Sequence, residues 1–263
     1  MNATPIRLAD QPGPLGNRVY LYCDGPEPRV LKQYRPRAAL WVEWVGEAGA
    51  RALNGKQGFA CEWRYYTERR LLELWRGHGL DVPRVYDAAL PDGVAPPALW
   101  LEYCPGPLLG DVLADAATPT ARQRELIAWL GRETDRRHAL AEHLGEPGLL
   151  HEHGSVKHQL LCGGRLVTFD LEAAYTRRRA IPTAIGEELS NLLHSLLRYT
   201  WLPADEALAH FAAGYGSLER LRRVGAELEA RTPRALAKRV ADRRRRGDTS
   251  KLSALRRLVR LVS

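Results

Sequence analysis

The sequence predicts an α+β chain built as two unequal lobes, and three observations carry that prediction. Short apolar strands separated by Gly and Pro crowd the first hundred residues, with one strongly periodic helix among them. Helical periodicity dominates after that, and a single hairpin, LLCGGRLV, interrupts the helices. With 263 residues, 45% of them apolar, the chain can bury a sizeable core, so disorder is not the default. Four cysteines are scattered singly with no CxxC pair, and MNATPIRLAD lacks a charged-then-apolar leader pattern; both point to a reduced, cytoplasmic protein. No apolar run approaches the roughly 18 residues of a membrane-spanning helix, since the stretch around Leu192 to Leu202 is broken by His194 and Arg198.

In chain order, RVYLYC and RVLKQY flank the turn-rich DGPEP and read as a β-hairpin over 18–34, with Lys32 in its second strand. An isolated strand lysine is ordinarily a solvated edge residue. Residues 36–60, with Trp41, Trp44 and GEAGARALNGKQG, fit a helix and a loop but carry a weak pattern. From Glu62 to His78, Leu71, Leu72 and Trp75 recur on one face and Arg69, Arg70, Glu73 and Arg76 on the other, ending at Gly77 and Gly79. Glu68 lies on this helix. A short strand follows Pro83, another spans Leu99 to Tyr103, and Pro105-Gly106-Pro107 breaks the chain before a helix near Asp111, as expected of a hinge between lobes. Further helices are predicted over 121–144, 187–199 and 204–215. The divisions are a β-rich lobe over 1–103, a helical lobe over 104–218 and a basic tail over 219–263. That tail holds 15 Lys and Arg against 5 Asp and Glu, a local net of +10 in a chain of net +8.

The stretch 151–172, HEHGSVKHQLLCGGRLVTFDLE, joins a polar loop to a Gly163-Gly164 hairpin and a strand that delivers Asp170. A hairpin of this kind sets His158, before its first strand, beside Asp170, after its second. The histidines and Cys162 could also suit zinc (His138, His143, His151, His153, His158), but their spacing fits no standard zinc motif.

Taken in order, these segments resemble the protein-kinase-like phosphotransferases, and most of all the bacterial lipopolysaccharide core kinases that act on Kdo or heptose sugars, over roughly residues 18–215. VLKQY resembles the strand whose lysine reaches the nucleotide phosphates, which implies that role for Lys32. ERRLLELWRGHGLDVPRV resembles the helix that supplies the partner of that lysine, implying Glu68, with Glu62 as the fallback. LWLEYCPG resembles the segment linking the lobes, implying that the backbone of Glu102, Tyr103 and Cys104 holds adenine. HEHGSVKHQLL resembles the catalytic loop, with His158 at a metal-ligand position, and TFDLE resembles the strand end that carries the principal Mg²⁺ ligand, Asp170. ATP and Mg²⁺ are the cofactors implied. The position of the catalytic Asp is taken by His153, whose ordinary pKa of about 6.5 suits a general base near neutrality. Without such a base the chain would be a pseudokinase, a binding module that transfers nothing. A shifted alignment on the His-Gly-Asp loop of antibiotic and choline phosphotransferases puts Ser155 at the base position and Leu160 at the metal position, losing both functional residues.

The resemblance implies a saccharide or glycolipid acceptor. In the basic tail, Leu252, Leu255, Leu258, Val259 and Val262 form an apolar face beside Lys251, Arg256, Arg257 and Arg260. Such a helix suits either an anionic membrane surface, consistent with a peripheral inner-membrane location, or the protein's own core. Nucleic acid is the less favoured partner for the arginine run.

Overall fold

The computed structural model describes residues 6–10, 17–23, 25, 27–230 and 251–262. The chain divides into two compact units, one of residues 1–105 and 167–178, the other of residues 106–166 and 179–263. The first unit therefore takes back a segment, 167–178, that begins in the second strand of the Gly163-Gly164 hairpin. The sequence-derived division differs here, because it assigns 167–178 to the helical lobe.

The first unit is built on a five-stranded antiparallel sheet in the order β1-β2-β3-β6-β5. Its strands are β1 (Ile6–Asp10), β2 (Arg18–Tyr22), β3 (Arg29–Gln33), β5 (Val85–Tyr86) and β6 (Ala98–Glu102). The β2–β3 hairpin is present with Lys32 opposite Val19, and on its other side Lys32 stands opposite Leu99 of β6. Strand β3 is thus central, covered on both faces, with Leu31 and Lys32 both buried. The edge-strand expectation for Lys32 is corrected: strand order depends on a pairing 67 residues away, which local pattern cannot register.

Between β3 and β5 come helix α1 (Leu40–Gly49), a π-helical turn (Ala50–Asn54), the short β4 (Lys56–Gln57) and helix α2 (Cys61–Gly77). Leu71, Leu72 and Trp75 bury the inner face of α2, as their spacing predicts. Strand β4 pairs with β9 (Ala174–Tyr175), tying the segment 167–178 to this unit.

The second unit is helical among the described residues. It comprises α3 (Leu109–Ala114), α4 (Thr120–Leu144), α5 (Ile181–Tyr199), α6 (Ala204–Tyr215), α7 (Leu218–Ala230) and α8 (Lys251–Leu261). Glycines let α4 and α6 meet backbone to backbone: a Cβ on Gly214 would lie 1.9 Å from the Ala128 carbonyl oxygen, and one on Gly131 2.4 Å from that of Phe211. Strands β7 (Gln159–Cys162) and β8 (Arg165–Thr168) form the predicted hairpin around Gly163 and Gly164, both at positive φ.

Helix α8 packs on α5, α6 and α7. Leu255 and Leu258 are buried, and Val259 fills the space beside Gly225. The apolar face that would suit a membrane is therefore occupied by the chain's own helices, and the neighbouring arginines stay outside, Arg257 paired with Asp205. The basic run at 238–246 lies outside the described residues. All four cysteines are free thiols, and no described helix is long and apolar enough to cross a membrane.

Candidate functional site

The chemistry of the first unit converges on Lys32. Its Nζ lies 2.7 Å from Oε2 of Glu68 on α2, 2.8 Å from Oδ1 of Asp170 and 2.8 Å from Oε1 of Glu172. Burial alone would lower the pKa of Lys32, but Asp170, Glu172 and Glu68 more than reverse that, and the amine is held cationic well above its usual 10.5. Glu68 is wholly buried and also accepts from the Tyr34 hydroxyl at 2.6 Å. Burial raises its pKa against the pull of Lys32, and the two neighbouring carboxylates add to the rise, which reaches about 7. Glu62, the fallback partner, makes no ion pair with Lys32; it lines a cavity of about 680 Å³ with Tyr65, Tyr66, Tyr86 and Trp100.

Asp170 follows β8 and is the one non-glycine residue at positive φ among those described, at 65°. Aspartate tolerates that left-handed conformation better than most residues do. The turn leaves its side chain 35% exposed while aiming one oxygen at Lys32. Two residues on, Glu172 is buried. It accepts from Arg37 at 2.9 Å, from Arg64 at 3.3 Å and from the Asn17 amide. Arg64 is itself fully buried on α2 and holds the Asn17 side-chain oxygen at 2.9 Å and the Arg35 carbonyl. Each carboxylate of Glu68, Asp170 and Glu172 offers an oxygen within 4.8 Å of the others, and they are the set among the described residues that could hold a metal ion. Three hard oxygen donors suit Mg²⁺ and not a soft or thiolate-loving metal. His158 is not in this set; it belongs to the second unit.

Sequence reasoning gave Glu172 no role. The signal was available, an acid two residues after Asp170 in TFDLE, but the partners that define it come from positions 17, 32, 37 and 64. In the linking segment, Glu102 exchanges backbone and side-chain hydrogen bonds with residue 84, at 2.8 and 3.0 Å, and Cys104 is buried. Tyr103 between them is half-buried.

In the second unit the loop 151–158 is laid on one stripe of α5. Glu188 Oε2 accepts the His151 backbone N–H at 3.0 Å, Asn191 donates to the Glu152 carbonyl at 3.2 Å, and the hydroxyls of Ser195 and Ser155 are 2.8 Å apart. Gly154 closes over the same helix, where a Cβ would meet Glu188 Cγ at 3.0 Å. Glu188 is anchored from behind by Arg137, at 2.9 Å, and by His138, at 3.2 Å. Burial would raise the pKa of Glu188; Arg137 and then His138 overturn that and hold it well below the usual carboxylate range. Burial lowers His138 itself, whose Nδ1 meets the Tyr215 hydroxyl at 2.7 Å. His138 is thereby tied into a buried packing network.

On the loop, His153 Nδ1 lies 2.5 Å from Oε2 of Glu152. His153 is exposed while Glu152 is buried, so the pair sets a buried carboxylate against a solvent-facing imidazole as a close charge contact. The His158 ring stacks on His151 at 5.4 Å, and its Nδ1 lies 3.1 Å from the His153 carbonyl oxygen.

No family model matches the sequence, and no curated protein matches it. Among solved structures, WaaP in complex with acyl carrier protein is similar over 89% of this chain and 88% of that one, with a TM-score of 0.51 and 14% identity. The chain has a protein-kinase-like fold. An aminoglycoside-3'-phosphotransferase of type VIII is similar over 99% of this chain and 93% of its own, with a TM-score of 0.41 and 17% identity. Lys32 of β3, Glu68 of α2 and Asp170 after β8 are the residues that meet in the first unit.

Proposed function

We propose that the protein is an ATP- and Mg²⁺-dependent phosphotransferase that phosphorylates a hydroxyl of a cell-envelope saccharide. The observation that carries the reading is the cluster in which one buried lysine is shared by Glu68, Asp170 and Glu172. Phosphoryl transfer calls for alignment and charge neutralisation more than for covalent chemistry, and this cluster pairs a permanent cation with a carboxylate cation site. Asp170 and Glu172 would hold the metal, which supplies positive charge to the phosphate oxygens; Lys32, positioned by Glu68, would bind phosphate. The backbone of Glu102, Tyr103 and Cys104 would hold adenine, and His158 would be a further metal ligand, both by resemblance.

His153 is assigned the base role. The exposed imidazole would accept the proton of an acceptor hydroxyl, and the Glu152 carboxylate 2.5 Å from Nδ1 would stabilise the imidazolium that forms. The saccharide acceptor, on a lipid-linked envelope molecule at the cytoplasmic face of the inner membrane, follows from the resemblance to lipopolysaccharide core kinases.

Nucleotide binding measured with and without Mg²⁺ tests the reading. Wild type is expected to bind ATP with Mg²⁺, and Asp170→Ala to lose the metal-dependent part; absence of binding by wild type, or identical binding by the variant, removes the mechanism. The second reading is a pseudokinase, favoured by the presence of His153 where the family places Asp. It prevails if the protein binds ATP but transfers no phosphate to any envelope saccharide fraction.

A further inference from the structure

Helix α1 turns its acids inward and its tryptophans outward. Glu43 and Glu47, one turn apart, are 1% and 2% exposed, whereas Trp41 and Trp44 are 72% and 51% exposed. Hydrophobicity alone would bury the indoles, so the helix is oriented by what its carboxylates hold. Glu47 accepts the N–H groups of Gly58, Phe59 and Ala60 at 3.3, 2.6 and 3.2 Å, and Glu43 accepts that of Cys61 at 2.9 Å. These donors lead into and open α2, whose N-cap, Ala60, has no capping side chain. Carboxylates at that end satisfy orphan donors and complement the helix dipole. Arg51 braces the arrangement, pairing with Glu47 at 2.8 Å while its guanidinium lies 3.7 Å from the centre of the Trp63 ring of α2.

Two routes lead from these acids to Lys32. Glu43 also accepts the Arg37 backbone N–H at 2.5 Å, and the Arg37 guanidinium holds Glu172, whose other oxygen is 2.8 Å from Lys32 Nζ. Along α2, Cys61 and Glu68 are seven residues apart, close to two full turns, so both look to the same side of the helix, and both are buried. A helix is stiff over that length, and a shift or rotation imposed at Cys61 arrives at Glu68. The Lys32–Glu68 contact is 2.7 Å, so a displacement of about 1 Å takes it beyond hydrogen-bond range.

We propose that Glu43 and Glu47 are positioning residues: by clamping the start of α2 they set the depth and rotation at which Glu68 meets Lys32. Glu47 acts through α2 alone, and Glu43 acts through α2 and through Arg37. What Lys32 then binds rests on the phosphotransfer reading. The placing of Lys32 does not, and it can be read without nucleotide.

The test is acetylation of the full chain by acetic anhydride, followed lysine by lysine in mass spectrometry, with the exposed Lys157 of the second unit as internal reference. Only the neutral amine reacts, and Glu68 is one of the carboxylates that keep Lys32 cationic, so drawing Glu68 away speeds the reaction. Glu47→Gln and Glu43→Gln, which keep the side-chain shape, are each expected to raise the Lys32 rate relative to Lys157 at least about threefold, with Glu68→Gln as the upper limit. Glu47→Gln/Glu68→Gln is expected to react no faster than Glu68→Gln, because both changes act at one contact. Effects that multiply in the double variant would overturn the proposal, as would unchanged rates in the single ones. Gly214→Ala, which forces apart two helices of the second unit, controls for general destabilisation, and an equal rise at Lys32 in that variant would also overturn it. In ATP titration Glu47→Gln is expected to weaken binding in the same direction as Glu68→Gln. A wild type that binds no ATP removes the phosphotransfer reading and leaves the acetylation result to stand by itself.

Discussion

Glu172→Gln probes how the first unit tolerates so many buried charges. Three carboxylates, Glu68, Asp170 and Glu172, face three cations, Lys32, Arg37 and Arg64. Removing the Glu172 charge strands Arg64, which is fully buried, and weakens the hold on Lys32. Breaking a buried ion pair by deleting one partner costs about 3–5 kcal/mol. Arg64 keeps the Asn17 oxygen at 2.9 Å and the Arg35 carbonyl, so the cost falls at the lower end, about 3 kcal/mol. For a chain of this size each kcal/mol moves the midpoint by about 2–4 °C, giving a fall of about 6–12 °C in thermal denaturation followed by circular dichroism. Asp170→Asn is the control. Its side chain is 35% exposed and its loss relieves repulsion on Glu68, so stability should change by less than about 1 kcal/mol while Mg²⁺-dependent nucleotide binding is lost. A Glu172→Gln midpoint within about 2 °C of wild type, or an equal fall in Asp170→Asn, would refute the charge-balance argument.

Two further outcomes follow from the geometry. Glu68 titrates at about 7, above the ordinary carboxylate range, so the stability its proton contributes is present at low pH and lost as pH rises through 7. Deprotonated Glu68 holds Lys32 in place for phosphate, so nucleotide should bind more tightly as pH rises, by up to about tenfold between pH 6 and 8 in calorimetric titration, and Glu68→Gln should flatten the dependence. Gly214→Ala places a methyl group 1.9 Å from the Ala128 carbonyl oxygen, so α4 and α6 must separate; urea denaturation should show a loss of about 1–3 kcal/mol, and a neutral result would contradict the close packing.

Elements whose apolar periodicity faces the core were readable from the sequence. The α2 pattern of Leu71, Leu72 and Trp75 and the stripe of leucines on α5 announce their buried sides, and Gly163-Gly164 announces its turn. Segment 36–60 resisted reading because its polarity is reversed. Hydrophobic patterning assumes that carboxylates face water, whereas Glu43 and Glu47 face backbone amides. Glu172 escaped for a different reason, since a buried acid is recognisable only through cations contributed from far along the chain. The same applies to Glu188, which reads as one more polar residue on α5 until His151, Arg137 and His138 are seen around it.

The pinning of α2 by α1 also bears on how the chain can vary. The first turn of the helix that positions Glu68 is specified by side chains 14 to 18 residues upstream of Cys61, not by its own leading residues. Gly58, in the loop between them, presses so closely on the Glu172 backbone that a Cβ would lie 2.0 Å from the carbonyl oxygen. The tryptophan-bearing helix, the start of α2 and the segment carrying Glu172 are consequently one structural block: a graft that swaps α1 for a conventional amphipathic helix would leave the Glu68 helix without a defined beginning.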